Sequence, residues 1–217
     1  MSDDLEAVIQ YYRRSPAQKV FLLGHSWGAM LACQYLNDKP DAPISGLILA
    51  EPGGLVYQDI LDYIKRSRAF SATSEAFTDA LYVDQFLTAR QDEHQLADYK
   101  LLVISGTVDT KNSPTGDDRI DPVWRPGYAV SAAFAKLAEG EKPNWTPNLK
   151  RYKTKVLFLY SERSKAYGID WAKRVSSAFP NVQLNMVKGG GHNTMVASPE
   201  AWTSFYQLSS TYLNALK

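Results

Sequence analysis

An α/β architecture built on a mainly parallel sheet is the fold class this sequence predicts, and three observations predict it. Near-continuous apolar runs at 20–23, 44–50 and 155–160, with a strand-like stretch at 181–187, have the composition of strands covered on both faces. Stretches with helical spacing lie between them, so strand and helix alternate and right-handed crossovers are expected. The first run ends in Gly24-His25-Ser26-Trp27-Gly28 and passes at once into the helix-like Ala29-Met30-Leu31-Ala32. Strand, sharp turn and helix follow one another within a dozen or so residues.

Taken in order, Ser2-Asp3-Asp4-Leu5 opens a capped helix whose buried face is read as Leu5, Val8, Ile9 and Tyr12. The strand at 20–23 and a helix over 28–37 come next, closed by Asn37-Asp38-Lys39-Pro40, and Ile44–Ala50 is the second strand, ending in Glu51-Pro52-Gly53-Gly54. Beyond it the pattern turns helical. Residues 57–68 carry Ile60, Leu61 and Ile64 on one face, Thr73 or Ser74 caps a helix to about Thr88, and Asp92 with Gln95 starts another to Ile104. Residues 101–104 also read as a short strand, 106–127 as a long loop and 128–138 as helix. The strand at 155–160, a helix over 169–178, the strand at 181–187, a loop Gly189-Gly190-Gly191-His192-Asn193 and a closing helix over 199–216 complete the chain. Ser198 is placed to cap that last helix, with Pro199 in its first turn.

With 217 residues, 45% hydrophobic and 22% charged, the chain can bury one sizeable core, and thirteen tyrosines and five tryptophans suit a globular enzyme. A net charge of +1, with no basic run, gives no support to a nucleic-acid or membrane-surface partner and points to a small substrate. Cys33 is the single cysteine, so no disulfide forms within the chain, and its place on the helix after the turn reads as a small buried apolar residue. No run is long enough to span a membrane, no apolar signal-type stretch stands at the start, and no repeat is visible. The three histidines do not combine with Cys, Asp or Glu at metal-ligand spacing, and no phosphate-binding glycine loop precedes a helix, so neither metal nor cofactor is expected.

Chemistry concentrates at Ser26. A serine on so tight a turn has its hydroxyl lifted clear of the sheet over a helix N-terminus. Gly24 and Gly28 are read as small because strand and helix cross closely there, and the Trp27 N–H would point at a developing oxyanion. These residues resemble the nucleophile elbow of the α/β-hydrolase superfamily, and Gly24-His25-Ser26-Trp27-Gly28 is most similar to that of its proline iminopeptidase-like branch.

The resemblance implies a Ser-acid-His triad, with the acid after a later strand and the histidine near the C-terminus. His192, just past the last strand, stands where the general base is implied, and an imidazole there can take the serine proton. His25 is read as supporting the turn and the substrate site, and His94 as an ordinary helix residue. The acid is open. Relatives carry Gly-x-x-Asp after the penultimate strand, but the matching stretch is Ser161-Glu162-Arg163-Ser164, with serine where the acid stands. Glu51, at the C-terminal edge of the second strand, is favoured, in a placement similar to that of certain haloalkane dehalogenases. Glu162 is the alternative, its plainer reading an ion pair with Arg163 or Lys165, and Asp170 comes third.

On this resemblance, 1–50 and 151–217 form a partial α/β-hydrolase core and 51–150 a mostly helical cap that shapes the substrate pocket. Strands and a Gly-rich oxyanion loop are implied upstream of the elbow and are not found before it, so the elbow strand is expected at a sheet edge. A second copy or a missing N-terminal segment would cover that edge. The expected function is hydrolysis of a small peptide, amide or ester through an acyl-enzyme on Ser26. The alternative is a catalytically silent fragment that only binds.

Overall fold

The structure, a computed structural model, describes residues 1–68, 98, 113–118 and 127–216. Their elements, numbered here in chain order, are α1 (Ser2–Tyr12), β1 (Val20–His25), α2 (Trp27–Asp38), β2 (Ile44–Ala50), α3 (Tyr57–Ser67), α4 (Tyr128–Glu141), a 3₁₀ turn (Leu149–Arg151), β3 (Val156–Ser161), α5 (Gly168–Ser176), β4 (Val182–Val187), α6 (Thr194–Ala197) and α7 (Pro199–Ala215). The helices expected over 73–88 and 92–104, the strand alternative at 101–104, His94 and most of the loop at 106–127 lie outside the described residues.

The four strands form one parallel sheet in the order β1-β2-β3-β4. Alternate residues of the two central strands feed opposite faces. Leu47, Leu49, Val156 and Phe158 pack with Ile9 of α1, Ala29 and Leu36 of α2 and Trp171 of α5. Ile48, Ala50, Leu157 and Leu159 pack with Met195 of α6 and Phe205 and Tyr212 of α7. Burial on both sides is why β2 and β3 are continuous apolar runs rather than alternating ones. Tyr212 pins α7 to the sheet, its hydroxyl donating to the Lys155 carbonyl at 2.6 Å and accepting from the Leu47 N–H at 2.9 Å. Ser198 caps α7 as expected, its Oγ accepting from the Ala201 N–H at 3.1 Å.

Two local readings are corrected. Helix α1 starts at Ser2, but Met1 holds its N-cap position and no side chain caps it. Its buried face is also narrower than the spacing suggested: Ile9 is buried and Leu5 packs beside it, while Val8 is 53% and Tyr12 66% exposed. The helix leans on its neighbour along one stripe, and residues a third of a turn away point to solvent. Strand β1 lies at an edge of the sheet among the described residues, with Leu23 55% exposed.

Candidate active site

Strand register sets the site. His25 pairs with Ala50 at the C-terminal ends of β1 and β2, so the next residues of each strand, Ser26 and Glu51, leave the sheet side by side. The ladder continues into both: the Ser26 N–H donates to the Ala50 carbonyl at 2.8 Å and the Glu51 N–H to the Leu159 carbonyl at 3.0 Å. Each then turns with a positive φ, 54° at Ser26 and 46° at Glu51. Such backbone is costly for a residue with a Cβ and persists only where the surroundings enforce it, most often at functional sites. At the first turn the enforcement is steric. A Cβ on Gly24 would stand 2.5 Å from the Gly28 carbonyl oxygen and 2.6 Å from Ala29, so strand and helix cross in contact there. A Cβ on Gly28 would meet nothing within 4 Å, and the close-crossing reading of that second glycine is not supported.

His192 reaches the pair from beyond β4. Its Nε2 lies 2.9 Å from Ser26 Oγ and its Nδ1 2.6 Å from Glu51 Oε2. Glu51 is fully buried, and its other oxygen accepts from both the backbone N–H and the Oγ of Ser161, each at 2.6 Å. Burial pushes this carboxyl's pKa up, but the hydrogen bond and charge of His192 and the two Ser161 donors outweigh burial and hold it below its ordinary value. An ionised carboxylate only accepts, so Nδ1 carries the proton and Nε2 turns a lone pair to the serine hydroxyl. In that tautomer a neutral imidazole can take a serine proton.

Several neighbours hold these groups in place. His25 Nε2 donates to the His192 carbonyl oxygen at 2.8 Å; burial, reinforced by the charge of His192, lowers its pKa from 6.5 to about 4, so it stays a neutral donor near pH 7. Tyr63 of α3 sets its hydroxyl 3.4 Å from His192 Nδ1 and stacks its ring on Trp171. Behind Glu51, Tyr167 donates to the Pro52 carbonyl at 2.9 Å and Trp171 Nε1 to the Gly53 carbonyl at 3.0 Å, which fixes the turn that aims the carboxylate. Trp27 opens α2, where its N–H has no partner within the helix. Its ring is 43% exposed and packs against Phe134 of α4, centroids 5.3 Å apart, and edge-on to Trp145 at 6.5 Å.

Of the residues expected from sequence, Ser26, His192 and Glu51 come together with His25 and Trp27 around them. Glu162 does not join them. It is exposed and its Oε2 accepts the Gly189 N–H at 2.8 Å, bracing the base loop from outside, while Arg163 pairs with Asp118 at 2.5 Å. Asp170 is exposed in the first turn of α5. Sequence reasoning missed Tyr63, Ser161 and Asp117. Ser161 alone left a trace, as the polar residue that ends an apolar strand. Among the described residues there is no group of three or more His, Cys, Asp or Glu able to hold a metal ion, and no helix long and apolar enough to cross a membrane.

A parallel sheet with a serine, a carboxylate and a histidine at its C-terminal rim is an arrangement of the α/β-hydrolase fold class. Residues 2–204 match the family described as the alpha/beta hydrolase family, and the chain belongs to that family. No curated protein matches it. Among solved structures it is similar to a bromoperoxidase from Bacillus anthracis, at 15% identity and TM-score 0.58, covering 98% of this chain and 72% of that one. A thermophilic esterase from Thermogutta terrifontis shares 17% identity at TM-score 0.59, with 99% and 71% covered. An alpha/beta fold family hydrolase from Bacillus anthracis shares 16% at 0.59, with 97% and 72% covered. At such identities the shared property is the fold. The chain spans 62–72% of the length of eight solved structures similar to it.

Proposed function

We propose that the chain is a serine hydrolase that cleaves a small ester or amide through an acyl-enzyme on Ser26. The observation that carries the reading is the unbroken line of contacts from Ser26 Oγ through both ring nitrogens of His192 to Glu51, at 2.9 and 2.6 Å. In this reading His192 Nε2 takes the serine proton as Oγ adds to the substrate carbonyl. The Trp27 N–H faces the oxygen that gains the charge, and Glu51 stabilises the imidazolium. Collapse of the tetrahedral adduct breaks the bond to the leaving group, which departs with the proton from His192. Water, deprotonated by the same nitrogen, then adds to the acyl carbon, and serine is released with its proton restored.

Residues 51–150 serve in this account as the cap over the site, and the half-exposed Trp27 ring with Phe134 forms an apolar wall for the substrate. The esterase among its structural neighbours favours an ester, and the likeness of the elbow to proline iminopeptidases favours an N-terminal residue of a short peptide. A p-nitrophenyl butyrate assay run beside a prolyl-p-nitroanilide assay separates the two. Turnover of at least one substrate, lost in Ser26→Ala, is expected; none on either, with the fold intact, would refute the hydrolase.

A further inference from the structure

The loop that carries His192 follows three glycines, the residue type that gains most freedom when unconstrained, yet catalysis of the proposed kind needs its imidazole fixed to within a fraction of an ångström. What fixes it comes from a distant part of the chain. Three consecutive peptide N–H groups at the base are all taken by the short segment 113–118. The His192 N–H donates to the Thr115 carbonyl at 2.8 Å, and those of Asn193 and Thr194 both donate to Asp117 Oδ1 at 2.8 Å. The Thr194 hydroxyl adds a third bond to the same oxygen at 3.1 Å, and Thr115 Oγ1 donates to Asp117 Oδ2 at 2.8 Å while contacting Ser113 Oγ.

Asp117 is only 5% exposed, so this is a buried carboxylate whose bonding is directed at the backbone just after the base. The segment is also wedged there. A Cβ on Gly191 would run into the Gly116 backbone and one on Gly116 into the Arg163 backbone, so loop, segment and the exit of β3 touch main chain to main chain. On the other side His25 holds the His192 carbonyl.

We infer that Asp117 is a positioning residue for the reaction: it locks the base loop through the Asn193 and Thr194 amides and thereby holds His192 Nε2 against Ser26 Oγ. The inference rests on the serine-hydrolase reading, but it adds a residue that neither the elbow nor the Ser-His-Glu line contains. It also ties residues 113–118, between β2 and β3, to the rate of the chemical step.

The test compares the intact wild-type chain with Asp117→Ala and Asp117→Asn on p-nitrophenyl butyrate. Each sample is titrated to completion with a fluorophosphonate, so that kcat is expressed per reactive serine. A misplaced base lowers kcat by about 100-fold in Asp117→Ala with KM little changed, because the loss falls on the chemical step. Asp117→Asn keeps an oxygen for both amides, and its kcat is expected within about threefold of wild type. A merely structural role would lower the melting temperature or the titratable fraction and leave kcat per serine intact, and that result overturns the inference. If Asp117→Ala does not fold, Asp117→Ser, whose short hydroxyl cannot serve both amides, is read in its place; a loss of about tenfold or more supports the lock and wild-type kcat per serine overturns it. A wild-type chain that neither labels nor turns over fails the hydrolase reading itself, and the inference falls with it.

Discussion

Ser26, Glu51 and His192 are joined by two hydrogen bonds whose direction decides what the site can do. Replacing Glu51 by Gln keeps an oxygen for the Ser161 donors but puts an amide opposite Nδ1, which favours the tautomer with its proton on Nε2, facing the serine. Turnover of Glu51→Gln is therefore expected to fall by about 10⁴-fold with the fold kept, and near-wild-type turnover would remove Glu51 from the line. His25 yields a prediction in pH. Its folded pKa of about 4 lies below the 6.5 of the unfolded chain, so between those values the unfolded state binds more protons and stability falls as pH falls. Between pH 7.5 and 4.5 the wild type is expected to lose about 2 to 3 kcal/mol more than His25→Phe in urea unfolding. Equal losses would show that His25 is not held neutral in the fold. Cys33, fully buried and with its thiol pushed up by that burial, stands outside this chemistry.

Elements whose residues announce their own surroundings were legible in the sequence. Strand β2 was read with the bounds it has, Ile44–Ala50, because a strand covered on both faces must be apolar throughout. The α7 start was equally plain, since Ser198 and Pro199 each satisfy a local need of a helix N-terminus. Glu51 could be found because a carboxylate that ends a buried strand has few other reasons to be there. Asp117 and Tyr63 could not: their partner His192 and its loop lie 129 residues from Tyr63 and 76 from the Asp117 contact at Asn193, and no local spacing encodes such a meeting. The two elbow glycines show the limit from the other side, one residue type with two environments. Gly24→Ala is expected to break the strand-helix crossing and abolish soluble folded protein. Gly28→Ala, with open space for the methyl, is expected to be neutral or to gain up to about 1 kcal/mol in denaturant unfolding. Equal tolerance at both positions would contradict the packing described for the elbow.

At the scale of the whole molecule, the described residues form a four-stranded sheet with its reactive groups along one rim and β1, the strand that delivers Ser26, at an edge. An edge strand with an apolar side chain such as Leu23 open to solvent offers unpaired backbone groups to a second chain. The 217-residue chain studied alone is expected to self-associate in light scattering, and Leu23→Lys, which puts a charge on that edge, to reduce the association. A monodisperse monomer at tens of micromolar would show the edge to be protected in solution. The central claim, that the Ser26 hydroxyl is activated by His192, is tested most directly by reacting the folded chain with a fluorophosphonate and mapping the adduct by mass spectrometry. One phosphonyl group on Ser26, absent from Ser26→Ala and formed far more slowly in His192→Ala, is the expected result. A folded chain that takes up no label, or carries it elsewhere with Ser26 untouched, would contradict the claim.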